Sequence, residues 1–388
     1  MRIWHFSETA YPHLPAEEDY ESVRVSMPNR YYDPEIGYEL YQNRIDEWCY
    51  ADELGIDIMI NEHHQTPTCV DPSAPIMTGV LARVTKNARL LILGNPVANR
   101  RQPVRVAEEM AMIDVMSKGR LECGFVRSVP YEIAPANSNP VRTTERMWEA
   151  HDLILKAWTS HDGPFTFEGE FFHHRMVNIW PRPYQQPHPP IWVTALSTGN
   201  ATDIARKGYK LGTFLGGYEK TPPVFNAYRK AYREAGHGDE APLENLGYSG
   251  LIFVGETEEE GRAGGQQLLW YLSHNKLPMH FKNPPGYASI DANVMALKGA
   301  QIGVRREGWI PDLDEEMAKG IVFCGTPDQV YDQLKKFYDH VGGFGNLLSM
   351  GQAGHLSHED TKKSLTLLAK EVYPRLKELG KPTSIAAA

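Results

Sequence analysis

Met112-Ile113-Asp114-Val115-Met116-Ser117-Lys118-Gly119-Arg120-Leu121-Glu122-Cys123-Gly124-Phe125 is the stretch on which the fold is decided. A helix-period segment, 103–115, runs through D-x-x-S-x-G-R straight into a short apolar run, 121–125. Such a run has no alternation of polar and apolar residues, as expected of a strand buried on both faces of a parallel sheet.

The same rhythm extends in both directions. Further apolar runs occupy 2–6, 56–60, 90–93, 191–195, 211–215, 248–254 and 346–349, which makes eight in all. Helix-period segments lie between them at 38–54, 145–158, 200–207, 223–235 and 327–340. Leu40, Ile45 and Trp48 mark the buried face of the first, and Thr326-Pro327-Asp328 is a sound start for the last. A final helix over 357–373 is predicted to stop before Pro374. Parallel strands, right-handed crossovers and this length predict an α/β fold, a (β/α)8 TIM barrel with insertions at the carboxyl ends of the strands. A doubly wound open sheet is the alternative.

Three stretches break the rhythm, at 7–33, 130–141 and 270–311, and they read as loops over the functional end. A small hairpin starting at 165–172 precedes the proline-rich 181–190 segment. With no repeat, low-complexity tract or flexible linker, residues 1–388 read as one domain.

Composition narrows the partners. Among 388 residues, 40 Lys+Arg stand against 49 Asp+Glu, a formal net charge of −9, with no long basic block. Nucleic acid and anionic membranes are therefore disfavoured, and a small molecule is the expected partner. Four cysteines, Cys49, Cys69, Cys123 and Cys324, form no C-x-x-C pair, so a reducing cytoplasm is expected and no structural zinc site. Polar residues follow Met1-Arg2-Ile3-Trp4-His5 too soon for a signal sequence, and no apolar run has the ~20 residues of a membrane span.

In a parallel barrel the residues just after each strand carry chemistry. After the second run come Glu62-His63-His64, after the third Gly94-Asn95-Pro96, after the fourth Val126-Arg127-Ser128, and after the fifth Leu196-Ser197-Thr198-Gly199-Asn200. Adjacent residues on a strand point to opposite faces, so the His pair suits a metal poorly. Either imidazole suits proton transfer in a cavity, and a hydrogen-bonded structural pair is the plainer possibility. Ser197 and Thr198, opening a helix, form either a phosphate seat or a simple cap. Arg127 and Arg146 strengthen the seat by their charge, and surface ion pairs are their plainer role. Asn95 offers an amide to a heterocycle edge or merely shapes a turn. Motifs for a Rossmann dinucleotide site, a P-loop, a nucleophile elbow and H-E-x-x-H zinc are all absent.

Taken with Pro103-Val104-Arg105-Val106-Ala107-Glu108-Glu109, Pro187-His188-Pro189-Pro190-Ile191-Trp192-Val193, Cys324-Gly325-Thr326-Pro327-Asp328-Gln329-Val330 and Glu371-Val372-Tyr373-Pro374, the opening stretch and Glu62-His63-His64 resemble the bacterial luciferase-like family of flavin-dependent monooxygenases. The resemblance covers nearly the whole chain outside the three insertions. It implies a (β/α)8 barrel that binds reduced FMN at the carboxyl end of the sheet, usually as a homodimer, with a separate flavin reductase supplying the cofactor. It implies that O2 reacts at the reduced ring and one oxygen atom enters an organic substrate in a dry cavity.

By position, the resemblance makes His63 the active-site histidine and Asn95 a contact of the flavin ring. It makes Arg127, Arg146 and Ser197 the phosphate contacts. The sequence departs from luciferase at Val126, where a reactive cysteine stands there, and at Leu196, where an acidic residue stands, so light emission is not expected. The 7–33 insertion, with Tyr11, Tyr31 and Tyr32, suggests a different substrate lid. The function implied is oxygenation of a small or medium hydrophobic organic substrate. A deazaflavin-dependent reductase or dehydrogenase, a flavin-binding protein without turnover and, more remotely, a metal-dependent hydrolase are the alternatives.

Overall fold

A strand that is apolar at every position needs cover on both faces, and each of the eight runs finds it by forming one stave of a barrel. In the computed structural model, which describes residues 1–16, 19–274, 277–288, 290, 293–294 and 311–379, the chain begins with β1 (Arg2–Ser7), α1 (Pro34–Glu53), β2 (Asp57–Ile60), α2 (Ala74–Val84), β3 (Leu90–Asn95), α3 (Pro103–Met116), β4 (Leu121–Phe125) and α4 (Thr143–Thr159). The small antiparallel hairpin β5 (Phe165–Glu168) and β6 (His173–Val177) follows. Then come β7 (Ile191–Thr194), α5 (Thr198–Arg206), β8 (Lys210–Phe214), α6 (Gly217–Glu234), β9 (Leu246–Val254), α7 (Glu258–Leu268), β10 (Val322–Gly325), α8 (Pro327–His340), β11 (Asn346–Gln352) and α9 (His358–Leu367).

The main sheet runs β10-β9-β11-β1-β2-β3-β4-β7-β8, and a further pairing of β9 with β8 closes it. One edge of β9 is shared: Leu246–Ser249 pair with β8 and Leu251–Val254 with the short β10. The closed ring is therefore the expected (β/α)8 barrel, with β10 added beside the upper half of β9, and the open-sheet alternative falls.

Alternation along each strand separates two cores. On β3, Leu91 and Leu93 point inward to meet Trp4, Phe6, Met59, Trp192 and Leu348. Leu90 and Ile92 point outward, into the layer shared with Trp48, Leu153 and Trp158 of the helices. At the amino-terminal end, Glu122 plugs the interior by accepting from Arg89 Nε at 2.5 Å, Trp192 Nε1 at 2.5 Å and Lys210 Nζ at 3.0 Å. Burial works to raise its pKa, but Lys210 and Arg89 outweigh burial and hold the carboxyl below its ordinary range.

The D-x-x-S-x-G-R turn proves to be a brace. Asp114 accepts from both the backbone N and the side-chain Nε2 of Gln185, each at 2.8 Å. Arg120 donates to the carbonyls of Ala82 (2.9 Å) and Ala88 (2.7 Å), tying the end of α2 to the start of β3. Gly119 takes φ 81°, the left-handed geometry that glycine tolerates.

Some expectations shift. The helix predicted from Pro223 begins at Gly217 and carries Pro222 and Pro223 inside it. Pro222 lacks the N–H that would bond Tyr218 O, and His340 Nε2 donates to that carbonyl instead, at 3.0 Å. The final helix passes Pro374 because a π-helical turn, Leu368–Val372, leads into a last turn at Tyr373–Leu376 where that proline sits near the start. Helices α2 and α7 and strand β10 were not anticipated. The predicted insertion 270–311 contains short helices Trp270–Ser273 and Met279–Lys282, but 275–276, 289, 291–292 and 295–310 lie outside the described residues.

Gly124 marks the tightest contact between β3 and β4: a Cβ there would lie 2.4 Å from Ile92 O and 2.7 Å from Leu93 Cα. Backbone cannot swing aside as a flexible side chain does, so Gly124→Ala is expected to cost about 1–3 kcal/mol through overpacking. Urea denaturation compared with wild type checks this, and an unchanged midpoint would contradict the close approach.

Candidate active site

Parallel strands that end at one rim gather the residues following them, and a cavity of about 950 Å³ opens there. Phe6 within and Glu8 just beyond β1, Asn61 to His63 after β2, Gly94 at the end of β3 and Val126 to Ser128 after β4 line it. Leu196 and Ser197 after β7, Phe214 of β8, Tyr271 and Tyr287 complete its wall. Its depth is apolar and its rim polar.

His63 faces this cavity between two carboxylates. Its Nδ1 donates to Glu132 Oε1 at 2.8 Å, and its Nε2 lies 3.6 Å from Glu8 Oε1. Glu132 is itself held in place: its Oε1 also accepts from the backbone N of His64 at 3.1 Å, and its Oε2 from Ser128 Oγ at 3.1 Å. Ser128 adopts φ 92°, a strained conformation for a residue with a Cβ, and is braced by Asn99 Nδ2 donating to its Oγ at 2.7 Å. Burial alone would lower the imidazole pKa, but Glu132 and Glu8 outweigh it and lift His63 to about 9. Glu132 correspondingly stays below its ordinary range despite its burial, chiefly through the His63 charge. The site thus holds an imidazolium at neutral pH.

A second cation meets one of these carboxylates, Glu8. Buried Arg24 donates from Nη1 to the Tyr131 hydroxyl at 2.7 Å, lies 3.9 Å from Glu8 Oε2, and packs over the Tyr131 and Tyr271 rings at 5.4 and 5.7 Å. The Tyr131 hydroxyl is 3.2 Å from His63 Nδ1.

The two histidines of Glu62-His63-His64 have separate tasks. His64 Nε2 donates to Glu62 Oε1 at 2.8 Å, while Glu62 Oε2 accepts from Ala74 N at 3.1 Å at the start of α2 and Arg100 pairs with the same carboxylate. Glu62 and His64 therefore belong to the architecture and His63 to the cavity. Among the described residues no group of three His, Cys, Asp or Glu side chains is arranged to hold a metal.

In the same lining, after β4, Arg127 stacks over the Tyr287 ring at 4.0 Å, and among the described residues no carboxylate forms an ion pair with it. Ser197 lines the same cavity as the N-cap of α5, accepting from Asn200 N at 3.4 Å. Thr198 is the first residue of α5 and is exposed beside that cap. Arg127 and Ser197 are thus brought together with His63 around one cavity.

Two other predicted residues stand apart from its lining. Arg146 packs over Phe172 at 4.9 Å with a buried, unpartnered Nε, and Arg142 lines the cavity in its place, tied to Glu145 and Glu170. Asn95 is buried and its Oδ1 accepts from Arg100 Nε at 3.5 Å, leaving Nδ2 unpartnered. Its pairing opposite outward-facing Phe125 explains this, because aligned residues on parallel strands share a face.

Glu8, Arg24, Tyr131, Glu132, Tyr271 and Tyr287 were missed as site residues. All fall inside the three segments singled out at 7–33, 130–141 and 270–311. Their irregular composition was the available signal; which side chains turn inward was not.

Comparison with known proteins agrees with this geometry. The family model described as luciferase-like monooxygenase matches residues 33–343. The oxygenase component of the flavin-dependent trigonelline monooxygenase of Acinetobacter baylyi is 26% identical over 92% of this chain and 95% of its own. Among solved structures, monooxygenase RslO1 of Streptomyces bottropensis superposes with a TM-score of 0.74 at 21% identity, over 97% of this chain and 100% of that one. The oxygenating constituent of 3,6-diketocamphane monooxygenase of Pseudomonas putida, solved in complex with FMN, does so with a TM-score of 0.70 at 18% identity, over 96% and 98%. With the model spanning far more than half of its length, the chain belongs to the luciferase-like monooxygenase family and is an oxidoreductase, a flavin-dependent monooxygenase.

Proposed function

We propose that the protein is the oxygenase of a two-component system. It takes reduced FMN from a separate flavin reductase and uses O2 to oxygenate a small or medium organic substrate in the cytoplasm. The observation that carries this is the division of one cavity into an imidazolium wall at His63 and a cationic, hydroxyl-bearing rim at Arg127 and Ser197. When bound, the reduced flavin supplies the electrons that make O2 reactive. Arg127 and the Ser197-capped end of α5, with Thr198 beside it, would hold the phosphate, since a guanidinium without a carboxylate and free helix N–H groups favour an anion. Phe6, Leu93, Val193 and Phe214 offer an apolar surface for the ring and keep water out. His63 holds a proton at the cavity wall. Arg146 and Asn95, set back from the lining, would act on the cofactor only through neighbours.

A deazaflavin cofactor would need further free cations for its acidic tail. Arg142 is bound by Glu145 and Glu170 and Arg100 by Glu62, which favours FMN. In a flavin titration, FMN is expected to bind more tightly than the deazaflavin. Arg127→Ala and Ser197→Ala should each weaken FMN by about 1–3 kcal/mol, the value of a charge-assisted contact. His63→Ala should retain FMN and lose oxygenation. Unaltered FMN affinity in both rim variants would sink the phosphate seat, and a protein that consumes no oxygen with reduced FMN would sink turnover.

An apolar stripe supports the reading of a homodimer. Ile76, Val80 and Val84 recur at helical spacing on α2, and Met112, Val115 and Met116 on adjacent α3; Ile76 is 72% exposed and Met112 55%. Contiguous apolar surface of this kind is usually covered by a partner. Sedimentation velocity should give a dimer for wild type and a monomer for Ile76→Asp/Met112→Asp, and a monomeric wild type would refute it. No helix among the described residues is long and apolar enough to cross a membrane, and the four cysteines are unpaired thiols, in keeping with a reducing compartment.

A further inference from the structure

The two ring nitrogens of His63 are held unequally. Nδ1 is taken by Glu132 at 2.8 Å, with the Tyr131 hydroxyl at 3.2 Å; Nε2, on the cavity side, has only a longer ion pair, to Glu8 Oε1 at 3.6 Å. Glu132 comes from the segment after β4, outside every motif that marks the family, and three hydrogen bonds fix its carboxylate. We propose that Glu132 is the positioning residue for His63: by keeping the Nδ1 proton it makes Nε2 the atom that donates a proton into the cavity. This deepens the oxygenase assignment and rests on it for the identity of the acceptor.

The proton balance is simple. One proton leaves Nε2 for an anionic oxygen in the cavity. The imidazolium becomes a neutral imidazole that still carries Nδ1–H on Glu132, and solvent entering by the rim returns a proton to Nε2. A carboxylate hydrogen-bonded to Nδ1 is a general way to fix which nitrogen of an imidazole is active and to stabilise its charged form.

The groups facing His63 leave this balance to two carboxylates. Glu8 and Arg24 approach from the segment after β1, Tyr131 and Glu132 from that after β4, and Tyr271 from that after α7. Glu62, His64 and Cys69 share its own segment, with Glu62 spent on Arg100. Burial pushes Tyr131, Tyr271 and Cys69 well up, so all three are neutral near pH 7. The charged neighbours that remain are Glu8, Glu132 and Arg24. With His63 protonated, the four sum to zero.

The test is a nitrogen-15 NMR titration of histidine-labelled, flavin-free protein, which needs no turnover and so stands apart from the oxygenase assignment. In wild type the His63 midpoint should lie near 9, and above it the shifts should report a proton on Nδ1. Glu132→Gln should lower the midpoint by about one pH unit or more and mix the tautomers; Glu132→Asp should restore both in part. In oxygenation assays with reduced FMN, the alkaline limb of kcat in Glu132→Gln should move to lower pH by the same amount, with KM little changed. A wild-type His63 carrying its proton on Nε2 above the midpoint would overturn the proposal without any variant. So would a Glu132→Gln midpoint equal to wild type, or a kcat profile that falls uniformly without shifting.

Discussion

Strands covered on both faces leave little room for charged groups along their length, and this constraint shapes the whole molecule. Inward residues such as Trp4, Leu91 and Leu348 fill the barrel, and outward ones such as Ile3, Leu90 and Leu121 meet the helices. Polar groups are pushed to the two ends. At one, Glu122 satisfies itself with Arg89, Lys210 and Trp192 and seals the interior. At the other, the strands open onto a cavity where charges remain available to a ligand. A stable end and a chemical end are thus a direct consequence of strand burial.

The barrel was legible because that same constraint writes itself into the sequence as unbroken apolar runs, and all eight staves stand where those runs do. β10 escaped although Val322–Gly325 is as long as β2 or β7, because its end, Cys324-Gly325, reads as the opening of the turn before α8 and it pairs only with the upper half of β9. α2 escaped because its outer face is apolar too: with Ile76, Val80 and Val84 exposed, the polar face that would signal an amphipathic helix is missing. At Pro374 the general rule against proline in helices lost to a local widening of the helix, a choice made by tertiary packing rather than by neighbouring residues.

The cavity was legible within two or three residues of each strand end. His63, Arg127 and Ser197 line it because position after a strand sets their direction. Arg146 illustrates the limit. Arg146 lies within α4 and turns to Phe172, whereas Arg142, just before the helix in a left-handed conformation that no periodicity announces, reaches the cavity. Glu8, Arg24 and Glu132 lie on irregular loops, where no period relates sequence to direction, so a carboxylate that turns inward looks in sequence like one that stays in water.

Electrostatics then joins the two halves of the cavity. Glu8, Glu132, His63 and Arg24 compensate one another in a confined space, so the His63 wall presents no net charge while offering a donor at Nε2. Arg127 has no such compensation among the described residues and keeps its field at the rim, next to the end of α5. A ligand with an anionic tail and a planar, uncharged head lowers its energy most with the tail at Arg127 and the head toward His63, and the reverse orientation would set its anion against Glu8 and Glu132. On the proposed assignment, the unpaired charge would bias this orientation before any close contact forms, since it acts at longer range than a hydrogen bond.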